Sequence, residues 1–299
     1  RLRSPITWYG GKGLLVAKLL KYVPKHTYYL EAFGGGASLL FAKKPAKVEV
    51  YNDILSDLVK FFRVLQDPEK FQKFYEKVYL TPYSRELFYI FRDEYESIED
   101  EVEKAYRFFV IARQSFAGKW GESWGYTVKA IRRNMGECVS NWLSAIEMLP
   151  EIHARLRTVQ IEHDTWEKVC ERYNDWSDEG FYYLDPPYVL DTRRDKRGYK
   201  YEMSNEEHEK LVDWLLTKAK VKVMLSGYDN EIYQKLEKNG WKKICWEVSC
   251  SAVGRTRGTG ILGEGATFVK NQRRIECIWI NYDPESHEIR KRNTNALFS

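Results

Sequence analysis

Cysteine is scarce in this 299-residue chain, and the five present, Cys138, Cys170, Cys245, Cys250 and Cys277, form no C-x-x-C pair. Zinc sites built on closely spaced thiolates are thereby set aside, and no metal is expected. An odd count in a chain of 35.5 kDa points instead to reduced thiols packed as small hydrophobes in a cytosol. No apolar run approaches the ~20 residues a membrane span needs, and the opening RLRSPITWYG does not read as a secretory leader. The G-K-[ST] ending of a phosphate loop is missing, as is G-x-G-x-x-G with a ribose acid at dehydrogenase spacing. Neither an internal repeat nor a low-complexity segment is present.

What the chain does have is a hydrophobic fraction of 43% beside 30% charged residues, enough for a packed core. Aromatic residues make up 15%, with ten Trp, and the net charge is +5. Basic clusters fall at residues 129–133, 193–200, 255–257 and 270–274. Cations meeting phosphates and rings stacking on bases would suit a nucleic acid. A solvated basic surface over an aromatic core explains the same composition.

Short apolar runs at residues 27–33, 47–51, 158–162, 181–184, 222–226, 244–248 and 274–281 read as buried strands. Helical patterns separate many of them, including residues 10–22 and residues 205–219, the latter opened by a cap-like S-N-E-E. Strands alternating with helices predict a doubly wound α/β sheet. The alternation stops between the second and third strands. There, residues 56–79, 99–113 and 141–156 read as helices, and a Gly- and Trp-rich loop, GKWGESWG, spans residues 118–125. The domain reading is therefore a sheet domain from residues 1–56 and 157–299, with a mostly helical insertion at 57–156.

The most informative motif is Asp185-Pro186-Pro187-Tyr188, directly after the strand-like FYYL. It falls at the carboxyl end of a strand, where open α/β sheets bind ligands. Two prolines fix the backbone and remove two donors. An acid, a bare carbonyl at Pro186 and an aromatic ring are then presented as one rigid array. That array matches a base bearing an amino group: carboxylate and carbonyl accept its two N–H bonds while the Tyr188 ring stacks on it. The lone pair of such an amine is delocalised, so positioning and polarisation would carry much of its chemistry. A strand-ending turn without a ligand is the alternative.

Leu30-Glu31-Ala32-Phe33-Gly34-Gly35-Gly36 follows the first strand and reads either as a tight ligand-approaching turn or as a structural hinge. Asn52-Asp53 follows the second strand, and Asp53 reads as an acceptor for ribose hydroxyls or as a helix cap. At the amino end, Trp8 and Lys12 of W-Y-G-G-K can serve a ligand, with Lys12 on a carboxylate; the alternative is a buried Trp and a surface Lys.

In this order, W-Y-G-G-K, E-A-F-G-G-G-A-S, Y-N-D-I-L-S-D-L, I-E-H-D, D-P-P-Y, L-S-G-Y-D and R-R-I-E-C-I-W-I-N-Y resemble the Dam-like alpha group of N6-adenine DNA methyltransferases over nearly the whole chain. The resemblance implies a seven-stranded, mostly parallel methyltransferase sheet. It also implies methyl transfer from S-adenosylmethionine to a flipped adenine in duplex DNA at a specific site. Trp8, Lys12, Phe33, Gly34, Gly36 and Asp53 would line the cofactor site. Asp164 would bind the cofactor's adenine amine, or else cap the helix that follows. Asp185, Pro186, Pro187 and Tyr188 would be catalytic, with Asp185 also near the methyl donor. An opening acid favours adenine over cytosine or protein glutamine. The family's first loop often reads F-x-G-x-G, and here it is Phe33-Gly-Gly-Gly36, so the glycines are offset.

The insertion would recognise DNA, through Arg113, Gln114, Lys119, Trp120, Trp124, Arg132 and Arg133, although packing accounts for the tryptophans equally well. Arg193, Arg194, Lys196 and Arg197 are expected to clamp phosphates beyond the catalytic loop. The expected setting is the cytoplasm of a prokaryote or its phage, away from membranes. The expected state is a monomer, with a dimer on DNA as the alternative. Two rival functions keep the fold: methylation of RNA adenine or cytosine, and a catalytically silent DNA-binding protein.

Overall fold

The computed structural model describes residues 2–8, 13, 15–189, 202–249 and 273–290. Lys12, Arg193, Arg194, Lys196 and Arg197 lie outside the described residues, as do the basic cluster at 255–257 and Cys250. The chain divides into two compact units. One takes the described parts of Arg1–Gly13, Asp57–Thr158 and Ser249–Arg274; the other takes those of Leu14–Ser56, Val159–Val248 and Ile275–Ser299. Up to Gly13, then, the amino end clusters with the helices rather than with the sheet.

In chain order the sheet unit begins with α1 (Val16–Leu19), β1 (Tyr28–Glu31), α2 (Ser38–Ala42) and β2 (Val48–Asn52). The helical unit then supplies α3 (Ser56–Gln66), α4 (Pro68–Tyr79), α5 (Arg85–Glu94), α6 (Glu101–Gln114), a two-stranded hairpin β3 (Ile131–Arg132) and β4 (Met135–Gly136), and α7 (Glu137–Leu156). The sheet resumes with β5 (Gln160–Glu162), α8 (Trp166–Tyr173), β6 (Gly180–Leu184), α9 (Asn205–Thr217), β7 (Lys222–Tyr228), α10 (Glu231–Lys238), β8 (Lys242–Ser249) and β9 (Arg273–Ile280).

Seven strands form one sheet in the order β5-β2-β1-β6-β7-β9-β8. β1 pairs parallel with β2 and β6, β2 with β5, and β6 with β7, while β9 runs antiparallel to β7. This is the mostly parallel α/β sheet that the strand–helix alternation predicts. The central strand β6 is buried along its whole length, as an unbroken apolar run requires when both faces are covered. Leu30, Val50, Tyr182, Val223, Leu225 and Trp279 join one core with Leu211, Leu215 and Leu236 from the helices. Each large apolar side chain buried this way contributes roughly 1.5–3 kcal/mol. α9 opens on a complete capping box: Ser204 Oγ accepts from Glu207 N, and Glu207 Oε2 accepts from Ser204 N at 2.8 Å.

The structure departs from the sequence reading at several elements. A single helix over residues 56–79 is expected, but Asp67 caps a new helix and Pro68 occupies its first position. Proline lacks the N–H that would continue α3, so the chain restarts there. α5, capped by Ser84, was not foreseen. The helix expected over residues 10–22 reduces, among the described residues, to α1. Cys245 and Cys277 form a disulfide with their Cα atoms 4.1 Å apart, which corrects the expectation of five reduced thiols. Their separation of 32 residues hides a pairing that only the adjacency of β8 and β9 creates. Cys138 and the buried Cys170 stand outside that bridge as thiols.

Candidate active site

Parallel pairing brings the carboxyl ends of β1, β2, β5 and β6 to one edge of the sheet, and Asn52 knots the loops that leave it. Its Nδ2 donates to the carbonyls of Ala32 (2.9 Å) and Asp164 (3.0 Å), and its Oδ1 accepts from Asp164 N at 2.9 Å. One fully buried amide thus ties the turn after β1 to the turn after β5. Sequence reading passed over Asn52, although its neighbour Asp53 was singled out.

The glycine turn is built by the same edge. Gly35 takes a positive φ of 48° and donates its N–H to Asp53 Oδ2 at 2.8 Å. Gly34 is packed from behind: a Cβ there would lie 2.2 Å from Tyr51 Cε2, while the Tyr51 hydroxyl donates to Gly35 O at 2.8 Å. Close packing against Tyr51 therefore demands this glycine in the chain as it stands. Gly36 is buried and Phe33 half-buried, its ring stacked on Trp166 with centroids 6.5 Å apart. Asp53 is 7% exposed, and its Oδ1 accepts from Leu55 N at 2.8 Å. Burial pushes its carboxyl above the usual carboxylate range, opposed by those backbone N–H bonds and by His163. Asp164 differs: the Thr165 N–H at 2.9 Å holds its carboxyl below the usual range, helped by Arg172 and Lys168.

Asp185 follows β6. In the β1–β6 ladder Glu31 pairs with Tyr183, so the D-P-P-Y loop leaves beside the glycine turn. Glu31 is 1% exposed and accepts at Oε1 from the Tyr29 hydroxyl (2.6 Å) and from Leu40 N (2.7 Å). Burial pushes its carboxyl up to about 7, and the Asp185 charge adds to that rise. Glu31 is thus buried at the tip of β1, and Asp185, half-buried, follows the tip of the neighbouring β6. Pro186 is buried and Pro187 half-buried. Tyr188, 4% exposed, donates its hydroxyl to Glu276 Oε2 at 2.5 Å, and its ring meets Tyr228 edge-on with centroids 4.3 Å apart. Glu31, Tyr228 and Glu276 were not singled out from sequence, although all three lie in quoted motifs.

The other expected residues stand in the helical unit. The Trp8 ring lies 5.7 Å from that of Phe108. Arg113 donates to Thr7 Oγ1 at 3.3 Å and to Asn141 O at 3.0 Å, joining the amino end to α7. Gln114 is 1% exposed; its amide accepts from Trp124 Nε1 at 3.0 Å and donates to Pro82 O at 3.4 Å, so it faces inward. Trp120 packs on Tyr95 at 4.9 Å, and Lys119 pairs with Glu122 at 3.4 Å. Trp124 stacks on Tyr126 beneath the Arg85 guanidinium, which lies 4.8 Å and 4.9 Å from the two rings. Arg132 and Arg133 form the exposed hairpin, bonded to Asn141 (3.0 Å) and to Ser144 and Glu147 (2.8 and 2.9 Å).

Among the described residues no group of His, Cys, Asp and Glu is arranged to hold a metal, and no helix is long and apolar enough to cross a membrane. A mostly parallel seven-stranded sheet with an antiparallel β9, acid-bearing loops at its strand tips and D-P-P-Y on its central strand defines a methyltransferase of the α/β class. Residues 8–249 match the D12 class N6 adenine-specific DNA methyltransferase family, and the chain belongs to it. It is 28% identical over 249 residues to the type II methyltransferase M1.LlaDCHI of Lactococcus lactis subsp. cremoris, covering 80% of this chain and 85% of that one. It is also similar to modification methylase StsI of Streptococcus sanguinis (21% identity, 72% of this chain, 33% of StsI) and to modification methylase LlaI of Lactococcus lactis subsp. lactis (22%, 75% of this chain, 36% of LlaI). The chain spans about a third of the length of those two.

Proposed function

We propose that this adenine DNA methyltransferase acts at a specific site in duplex DNA, on an adenine flipped out of the helix, with S-adenosylmethionine as methyl donor. The observation that carries the reading is the placement of Asp185 beside buried Glu31 at the tips of β6 and β1. On this reading an acid–carbonyl–aromatic array on the loop after β6 would work beside the turn after β1.

The residues fit such a cofactor. Both Asp53 oxygens already hold a backbone N–H, at 2.8 Å each, yet each carboxylate oxygen has a second lone pair for a ribose hydroxyl. Phe33, Gly34 and Gly36 would line the adenosyl moiety, and Asp164 would bind its adenine amine on leaving its lateral cations. When bound, the sulfonium supplies an electrophilic methyl group.

The protein's part is positioning. Asp185 Oδ and the Pro186 carbonyl accept the two N6 hydrogens, which holds the amine lone pair toward the methyl donor. Tyr188 stacks on the base. As the N–C bond forms and the methyl group parts from its sulfur, leaving a neutral thioether, the nitrogen becomes acidic, and the Asp185 carboxylate would take the proton it sheds.

Recognition falls to the helical unit. The hairpin turns through Arg133 and Asn134, both at positive φ (54° and 59°), and leaves Ile131 77% exposed and Val128 59% exposed. Cations and apolar side chains at such a tip suit phosphates and base edges, with Lys119, Trp120, Arg113, Gln114 and Trp124 in or supporting the adjoining loop. The enzyme would act as a monomer in a bacterial cytoplasm, as the modification arm of a restriction system, consistent with the type II and modification methylases it is similar to.

A single-turnover assay with labelled S-adenosylmethionine tests the site. Asp185→Ala should lower transfer by at least about a hundredfold while DNA binding persists, a scale expected of positioning and electrostatic groups. Full activity in Asp185→Ala refutes the assigned role.

A further inference from the structure

Tyr188 is held from two sides by residues with no assigned part in methyl transfer. In the antiparallel β7–β9 ladder Tyr228 stands directly opposite Glu276. Cross-strand partners of this kind project from the same face with their Cβ atoms about 5 Å apart. Both reach the same ring: Glu276 Oε2 accepts the Tyr188 hydroxyl at 2.5 Å, and Tyr228 meets the ring at 4.3 Å with the planes inclined by 69°. Pro186 and Pro187 stiffen the backbone just before Tyr188.

We propose that Glu276 is a positioning residue that fixes the plane and height of the Tyr188 ring before a base arrives, with Tyr228 as the lateral stop. A tyrosine fixed only at its Cα still samples several ring orientations. A charge-assisted bond at the far end of the ring removes them. The stacking surface is then ordered in advance, and base capture does not have to order it. The inference rests on the proposed base-binding role of Tyr188. The ring's setting comes from the loop after β6 and from facing positions on β7 and β9, which gives the antiparallel strand a part in ordering the proposed base-stacking residue.

The test is single-turnover methyl transfer at saturating DNA and cofactor, with cofactor affinity measured separately by calorimetry, for the wild type, Y188F, E276A, E276Q and the Y188F/E276A double variant. Each of Y188F and E276A should slow transfer about tenfold, the usual scale for one charge-assisted bond. The double variant should be no slower than about twofold beyond either, since both remove the same bond. E276Q, whose amide oxygen can accept the same hydrogen, should recover to within about threefold of wild type, and cofactor affinity should stay within about twofold throughout. Wild-type rates in E276A or Y188F, multiplying losses in the double variant, or E276Q as slow as E276A would each overturn the proposal. If E276A does not fold, Y188F and E276Q decide on the same terms. A wild-type enzyme that transfers no methyl group to DNA would instead bring down the function on which the inference rests.

Discussion

Glu31 is a carboxyl group with almost no access to water, bonded to a tyrosine hydroxyl and a backbone N–H and placed near a second acid. Its folded pKa of about 7 exceeds the ordinary 4.5, so the folded state binds its proton more tightly than the unfolded chain does. Stability therefore falls as pH rises from about 4.5 to about 7 and is flat outside that window, all else equal. The swing is on the order of 3 kcal/mol. Glu31→Gln, neutral and nearly isosteric, should remove that slope in urea melts between pH 5 and pH 7.5; an unchanged slope would show that Glu31 titrates normally. At this scale the proposed catalytic loop can be picked out because four consecutive residues, Asp185 to Tyr188, carry the motif. Asn52 and Glu276 do not stand out, because their partners Asp164 and Tyr188 lie far along the chain, nor does Glu31, whose place beside β6 is set by strand pairing. No spacing rule links Tyr188 to a glutamate 88 residues away.

At the scale of elements, the turn after β1 depends on what lies behind it. A methyl group at Gly34 would sit 2.2 Å from the Tyr51 ring, which is itself fully buried. Gly34→Ala should therefore cost roughly 1–3 kcal/mol through overpacking, lower the melting temperature by several degrees, and weaken nucleoside binding by displacing the Gly35 N–H from Asp53. A thermal shift within a degree of wild type would contradict this. The strands were readable as elements because buried parallel strands are apolar runs bounded by turns. The 56–79 stretch was misread as one helix because hydrophobic periodicity runs through Pro68, while the break is made locally by a cap and an imide. The hairpin of β3 and β4 carries two residues per strand, too few for any alternation to register. The disulfide belongs to the same class: sheet order, and nothing in local sequence, sets Cys245 beside Cys277.

For the molecule as a whole, the net charge of +5 becomes informative only with the fold in hand. The helical unit has an aromatic interior: Phe61, Phe74, Phe108, Phe109 and Trp142 form a chain of ring contacts between 5.2 and 6.2 Å. Much of the aromatic content that sequence reading weighed as a base-stacking signal is core. The exposed hairpin is the better place to look for DNA binding. Arg132→Ala/Arg133→Ala should weaken binding about equally on all duplexes and reduce the dependence of log K on log salt by up to about 0.9 for each phosphate no longer neutralised. Binding that keeps the wild-type salt slope would remove the hairpin from the interface. The run of helices between β2 and β5 registers in the sequence as a loss of strand–helix alternation. The membership of residues up to 13 in the same compact unit does not, since that segment carries no helical period of its own.

We propose that the Asp185 loop after β6 directs a methyl group onto the exocyclic amine of adenine in DNA. The most direct measurement is nucleoside analysis of genomic DNA from a methylation-free host expressing either the wild-type chain or Asp185→Ala at equal soluble levels. N6-methyladenine is expected from the wild type and none from the variant; a methyl mark confined to cytosine, or equal N6-methyladenine from both proteins, would overturn the assignment.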